Sequence, residues 1–163
     1  MVPRRGLVPA LIVLLLSGAA CSWLGDERSA VRKRLDVFEA EANTHAPEGL
    51  GAVTHATSLA SYFTEDVSVE LGDGTAPISG REMLMGMALR LQSRMAEFQL
   101  DLADVNVQVA PDGQTADVNL TAEILQRSPT SRRTRDAREF ALTMRREDGE
   151  WMIARVVAVQ TLK

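Results

Sequence analysis

Apolar residues recur every three or four positions in three segments of the chain, which is the spacing of one helical face. In the first segment Val31, Leu35 and Phe38 form this stripe, and charged residues occupy the opposite side. The third segment follows Ser79, whose hydroxyl is placed to cap the amide of Glu82 as in a capping box. The pattern predicts helices at residues 26–42, 53–63 and 80–98, with a Pro- and Gly-containing loop at 43–51.

Other segments alternate apolar and polar residues with a period of two, which is typical of half-buried strands. The apolar parity shifts near Ala103 and Asp104, which predicts a β-bulge. The dipeptides Asp112-Gly113 and Asp148-Gly149 predict hairpin turns. We expect strands at residues 67–71, 99–109, 116–124, 140–144 and 151–159, with a polar connection at 126–138. This order of elements predicts an α+β fold, with three helices packed on one face of a bent, mostly antiparallel sheet.

The first twenty residues contain the three parts of a secretory signal. Met1–Gly6 is short and basic, Leu7–Leu16 is apolar, and small residues lead up to Cys21. The apolar run is too short to cross a bilayer core, which takes about 20 helical residues. We predict a signal peptide at 1–20, a lipidated tether at 21–28 and a single domain at 29–163.

The segment Gly18-Ala19-Ala20-Cys21 resembles the lipobox of bacterial lipoproteins, although that family usually has leucine where this chain has Gly18. The resemblance implies that Cys21 carries diacylglycerol and anchors the exported chain to a membrane of the cell envelope. Ser22 would favour the outer membrane, facing the periplasm, in a Gram-negative cell. The alternative is an ordinary signal peptide that is cut after Ala20 and leaves a free thiol. Arg4-Arg5 also resembles the start of a twin-arginine signal, but the flanking residues match poorly.

The charge balance restricts the partners of the mature chain. All 22 acidic residues but only 16 of the 18 basic ones follow the predicted signal, so the mature part carries six more negative than positive charges. This balance argues against nucleic acid as a partner, because a nucleic-acid binder needs a basic face. His45, His55 and Glu48 lack the spacing of a metal-binding motif, and we expect no metal or other cofactor.

Three motifs together resemble the nuclear-transport-factor-2-like superfamily, which includes ketosteroid isomerases and SnoaL-type cyclases. They are Leu59–Val69, Ile78–Glu82 and Asp148–Ile153. The resemblance implies a cone in which a strongly curved sheet wraps the helices around an apolar pocket. We expect Tyr62, Met87, Leu91, Met144 and Trp151 to line that pocket.

The same resemblance argues against isomerase chemistry. The general base of ketosteroid isomerases aligns with Leu71, and leucine cannot move a proton. The predicted first helix also lacks the tyrosine those enzymes use, and Tyr62 lies on the second helix. No catalytic residue is therefore predicted.

We expect structural roles for the remaining polar residues that could form a functional site. Asp66, Asp101, Asp104 and Arg155 flank apolar strand positions, and Arg155 is expected to pair with one of these aspartates. The histidines are expected at the surface or as caps. The arginine-rich connection at 126–138 is expected to be a solvated hairpin tip, although it could also touch lipid phosphates or an acidic partner.

Two main hypotheses about function follow. The first is a non-catalytic, membrane-tethered domain that binds a small apolar ligand or another envelope protein. The second is a pocket enzyme of isomerase, cyclase or dehydratase type, which would need an inward-facing Asp, His or Tyr. A homodimer formed through the exposed sheet face is a further possibility.

Overall fold

The computed structural model describes residues 8–44, 49–72, 74–92, 97–127 and 133–159, with side chains of the first helix described from residue 25. This part of the chain forms three helices and six strands. They are α1 (Val8–Ala42), α2 (Leu50–Ala60), β1 (Phe63–Glu70), β2 (Ile78–Ser79), α3 (Arg81–Gln92), β3 (Glu97–Val109), β4 (Thr115–Arg127), β5 (Thr134–Glu147) and β6 (Glu150–Ala158).

The strands form one curved, mixed sheet in the order β2-β1-β6-β5-β4-β3. β1 runs parallel to β6, and every other neighbouring pair is antiparallel. Register shifts interrupt the β1–β6, β3–β4 and β5–β6 pairs, and such irregularities bend a sheet. Helix α1 packs along β3, and α3 packs on β1. The predicted α+β fold, with helices on a curved sheet, is confirmed.

Local turn chemistry behaves as the sequence predicts. The β3–β4 register shifts between Ala103 and Asn106, and Asp104 has a φ of 53°, which confirms the predicted bulge. Asp148 and Gly149 have φ values of 51° and 88° and join β5 to β6 as a two-residue loop. Positive φ at both positions is the geometry of a type I′ turn, which explains the Asp-Gly pair.

Several predicted boundaries are wrong. Helix α1 begins at Val8 rather than at residue 26, and α2 ends at Ala60, so Phe63 belongs to β1. Ser79 lies in the short strand β2, which the sequence did not suggest because it is only two residues long. The predicted connection at 126–138 is shorter than expected, since β4 continues to Arg127 and β5 starts at Thr134.

The main core lies between α1 and strands β3–β6. Val31 and Leu35 are 0% and 2% exposed, as the helical stripe predicts, and they pack with apolar residues of the sheet. A second, smaller cluster of Val67, Val69 and Ile78 lies under α3. Burial of the α1 stripe is the main reason why the helix docks where it does.

Polar side chains of α1 cover the free edge of β3. Asn43 donates to the carbonyl of Leu100 and accepts from its amide, both at 2.7 Å, and Glu39 accepts from the amide of Leu102 at 3.2 Å. Arg32 donates to the carbonyl of Val105. These bonds satisfy backbone groups that an edge strand would otherwise offer to another chain.

Candidate functional site

A polar recess of about 600 Å³ lies beside the β5–β6 hairpin. Its lining comes from β1, from the start of α3, and from both strands and the turn of the hairpin. The lining residues are Glu65, Asp66, Arg81, Arg145, Glu147, Asp148, Glu150 and Met152. With five carboxylates and two guanidinium groups, the recess has a formal charge of −3. It is therefore a charged site and not the apolar pocket that the sequence predicts.

Arg145 organises the carboxylates of the recess. Its Nη2 lies 2.8 Å from Asp66 Oδ1 on β1 and 2.6 Å from Glu147 Oε1 on its own strand. The hydrogen bond from this guanidinium holds the pKa of Asp66 below its ordinary value of 3.8. The same two carboxylates raise the pKa of Arg145. Asp66 is thus a stable anion and a poor proton acceptor at neutral pH.

The other charged groups of the recess differ in how they are held. Arg81 Nε donates to the carbonyl of Phe63 at 2.8 Å, and Glu150 pairs with Arg34 of α1 at 3.0 Å. Within the described residues, the structure shows no ion pair for Glu65 or Asp148. These two carboxylates leave the excess negative charge of the recess open to a ligand.

A buried polar cluster joins the middle of α1 to the same hairpin. Glu27 is 7% exposed, and its Oε1 accepts from Arg146 Nη1 at 2.6 Å. Its Oε2 accepts from the indole N–H of Trp151 at 3.0 Å. Glu27 lies inside the range 21–28 predicted as the tether, and these bonds hold it against the hairpin.

Three of the five predicted pocket residues lie in the packed interior. Met144 is 0%, Trp151 4% and Tyr62 8% exposed. The Tyr62 ring meets Phe38 edge-on at 5.4 Å between centroids, and the Arg34 guanidinium lies 4.4 Å from its centre. These contacts occupy the ring on two sides, as expected for a core aromatic beside a cation.

The other two predicted pocket residues lie on α3. Met87 is partly buried against the smaller cluster, whereas Leu91 is 49% exposed. Leu91 lies in the last turn of α3. None of the five lines the charged recess, so their predicted role in ligand binding stays a prediction. Leu71, the position of the isomerase base, also packs against the smaller cluster.

The predictions for two other polar residues need correction. His55 is not at the surface: it is 7% exposed on α2, and its Nδ1 lies 3.4 Å from Glu41 Oε1 on α1. Its position on the buried face of a short apolar helix explains this burial. Arg155 pairs with Glu70 at 2.9 Å and not with one of the predicted aspartates, because Glu70 lies on the neighbouring strand β1. His45 and Glu48 lie outside the described residues.

The described arginines near the β4–β5 connection form ion pairs with nearby carboxylates. Arg127 and Arg133 both pair with Glu97, and Arg135 pairs with Glu123. Arg138 lies 3.0 Å from Asp136. Four arginines thus share three carboxylates, so these pairs offset most of the positive charge in the described part of this region.

The described residues contain no candidate metal centre and no candidate membrane-spanning helix. No group of three or more His, Cys, Asp or Glu side chains there is arranged to hold a metal ion. Among the residues whose side chains are described, no helix is long and apolar enough to cross a membrane.

A curved mixed sheet with three helices on it defines the nuclear-transport-factor-2-like class of α+β proteins. The chain belongs to the SnoaL-like domain family, whose model matches residues 54–157, more than half of the 163 residues. No curated protein matches the chain.

Solved structures support the same fold. A candidate aromatic ring hydroxylase from Novosphingobium aromaticivorans has a TM-score of 0.70 at 17% identity, covering 85% of this chain and 91% of that one. A candidate scytalone dehydratase from the same organism gives 0.69 at 15% identity, covering 82% and 83%. A candidate dehydratase of the NTF2-like family from Streptomyces avermitilis gives 0.67 at 19% identity, covering 86% and 99%. At such low identities the likeness shows the fold alone.

Proposed function

We propose that this chain is a SnoaL-like domain of an envelope lipoprotein, anchored through acylated Cys21, and that it binds a positively charged small ligand without converting it. The observation that carries the binding part is the charge of the recess, −3 over its eight lining residues. A cation entering the recess would meet Glu65 and Asp148, which have no ion pair among the described residues, while Met152 offers a small apolar contact. The ligand class is thus cationic, where the sequence alone suggested an apolar one.

The recess favours binding over turnover because Arg145 makes Asp66 poorly suited to proton transfer. An efficient general base has a pKa near the working pH, and Arg145 moves the pKa of Asp66 away from neutrality. The family position of the isomerase base holds Leu71. Neither position offers a side chain that would remove a proton from carbon at neutral pH.

Ligand binding can be tested with a matched pair of amphiphiles. We expect octylammonium to shift the NMR signals of Glu65 and Asp148 in a saturable manner, and octyl sulfate of the same chain length to leave them unchanged. The double variant Glu65→Gln/Asp148→Asn should weaken octylammonium binding several-fold. Asp101→Asn is the control, since Asp101 is exposed on β3 and outside the recess. Equal responses to the two amphiphiles would refute a cation site.

Anchoring can be tested separately from binding. In a bacterial host, the full chain should enter the membrane fraction with the mass of an acylated mature protein starting at residue 21. Cys21→Ala should abolish both the added mass and the membrane association, whereas Ser22→Ala should retain both. An unmodified thiol at residue 21 would refute the lipoprotein assignment and favour an ordinary signal peptide.

A second candidate function is a pocket enzyme of isomerase, cyclase or dehydratase type. It is favoured by one observation, the pair of buried His55 and half-buried Glu41, because a histidine oriented by a carboxylate is a common general base. The structural neighbours named as a hydroxylase and dehydratases are compatible with this enzyme candidate, but at their low identity they support only the shared fold. Reactions of this kind begin by removing a proton from carbon, so deuterium from solvent should enter cyclic ketone or 1,3-diketone probes. Exchange that is lost in His55→Asn would favour the enzyme over the binding domain.

A further inference from the structure

The direction of α1 fixes which end of the domain is nearest to Cys21. From Arg32 to Asn43, the helix contacts β3 in reverse order, from Val105 back to Leu100. The N-terminal part of α1 therefore points toward the end of the sheet where β3 finishes and turns into β4. The opposite end of the sheet carries the connection between β4 and β5.

Both hairpin turns and the recess lie at that same end. Glu27 is held by Arg146 and Trp151, which flank the β5–β6 turn. The amide of Arg146 in turn donates to the carbonyl of Gln114 in the β3–β4 turn, at 2.8 Å. The recess includes Glu147, Asp148 and Glu150 of the same hairpin. Attachment at Glu27 thus places the recess on the side of the domain from which the N-terminal segment leaves.

Only a short stretch of chain separates Glu27 from the proposed anchor. Six residues reach about 9 Å as a helix and about 20 Å when fully extended. Along β5, the twelve residues from Arg145 to Thr134 span about 36 Å in the opposite direction. Even a frayed segment would keep the turns much closer to the anchor than Thr134.

We propose that the end of the domain formed by the two hairpin turns and the recess faces the lipid headgroup layer, which is its partner surface. This inference rests on the proposed anchoring through Cys21. It gives the recess a direction of access, because a cationic amphiphile leaving the bilayer reaches it without crossing the domain. The β4–β5 end faces away from the membrane.

The orientation can be measured on the acylated protein in phosphatidylcholine vesicles that carry a headgroup nitroxide. Acylation blocks Cys21, so a fluorophore can be attached to one added cysteine, Gln114→Cys at the near end or Thr134→Cys at the far end. Both positions are exposed. We expect the nitroxide to quench the label at 114 several times more strongly than the label at 134.

The outcomes separate the orientation from the anchor. Equal quenching, or stronger quenching at 134, in protein that remains bound to vesicles would overturn the orientation while leaving the anchor intact. Protein that stays in the supernatant without an acyl group would overturn the anchor and with it this inference. A twenty-residue Gly-Ser insertion after Ser22 has a reach of about 25 Å and should reduce the difference between the two labels. A difference that persists undiminished would overturn the argument from tether length.

Discussion

Replacing Glu27 by alanine tests the cluster that joins α1 to the β5–β6 hairpin. The variant removes the acceptor for the Trp151 indole N–H, which is buried, and the ion pair with Arg146, whose side chain is 31% exposed. An unsatisfied buried donor costs about 1–3 kcal/mol. Breaking a buried ion pair costs about 3–5 kcal/mol, but water can solvate part of the exposed arginine. We therefore expect a loss of about 2–4 kcal/mol of unfolding free energy.

Urea unfolding of residues 22–163, followed by circular dichroism, measures this loss. With a dependence of about 1–3 kcal/mol per molar urea, the midpoint should fall by roughly 1–2 M. Glu27→Gln keeps one oxygen acceptor and should lose about half as much. Asp26→Ala is the control, because it removes the same charge from the adjacent, exposed position. If Glu27→Ala and Asp26→Ala shift the midpoint equally, the cluster does not hold the helix in place.

Three further predictions concern separate parts of the structure. Asn43→Ala removes both hydrogen bonds to the Leu100 backbone and should lower the free energy of unfolding in urea by about 1–3 kcal/mol. The variant should also aggregate faster, because the edge of β3 becomes exposed. Unchanged stability and solubility would show that Asn43 does not protect this edge. In an NMR titration the pKa of the Asp66 carboxyl should lie below 3.8, and Arg145→Gln should raise that pKa. The stability that Asp66 contributes is complete above its unfolded-state pKa and is lost as the pH falls through its folded-state pKa. An Asp66 pKa that does not change in Arg145→Gln would refute this prediction. Asp104→Gly should stabilise the chain by about 0.5–1 kcal/mol in the same unfolding assay, because φ is positive there, and a loss of stability would show that the carboxylate makes a favourable contact instead.

The sequence predicts those parts of the fold that depend on local patterns. The stripe of Val31 and Leu35 identifies the buried face of α1, and the parity change near Ala103 identifies the bulge. Both signals are periodic and need only neighbouring residues. The parallel pairing of β1 with β6 was not predicted, because it depends on contacts between distant segments. The strand β2 was not predicted because it has only two residues.

The recess could not be predicted because its residues are scattered along the chain. Glu65 and Asp66 are separated from Arg145 by about half of the sequence, and each is an ordinary polar residue of an exposed strand face. Glu27 did leave a signal. It lies four residues before Val31, so a charged residue occupies the apolar stripe of the first helix. A charge at such a position requires a buried partner, and Trp151 and Arg146 are those partners.

The packing of the residues predicted to line an apolar pocket also bears on function. Tyr62, Met144 and Trp151 were expected to line a cavity, but large side chains of this kind can also fill one. Tyr62 packs edge-on against Phe38, which also meets Phe63 at 5.6 Å, and Met144 is completely buried beside them in the sheet. Side chains committed to one another in this way are less available to an apolar ligand. The charged groups lie at the hairpin end, where Arg145 and its carboxylate partners are in contact with solvent. Because the recess is negatively charged overall, a cationic ligand can reach it there.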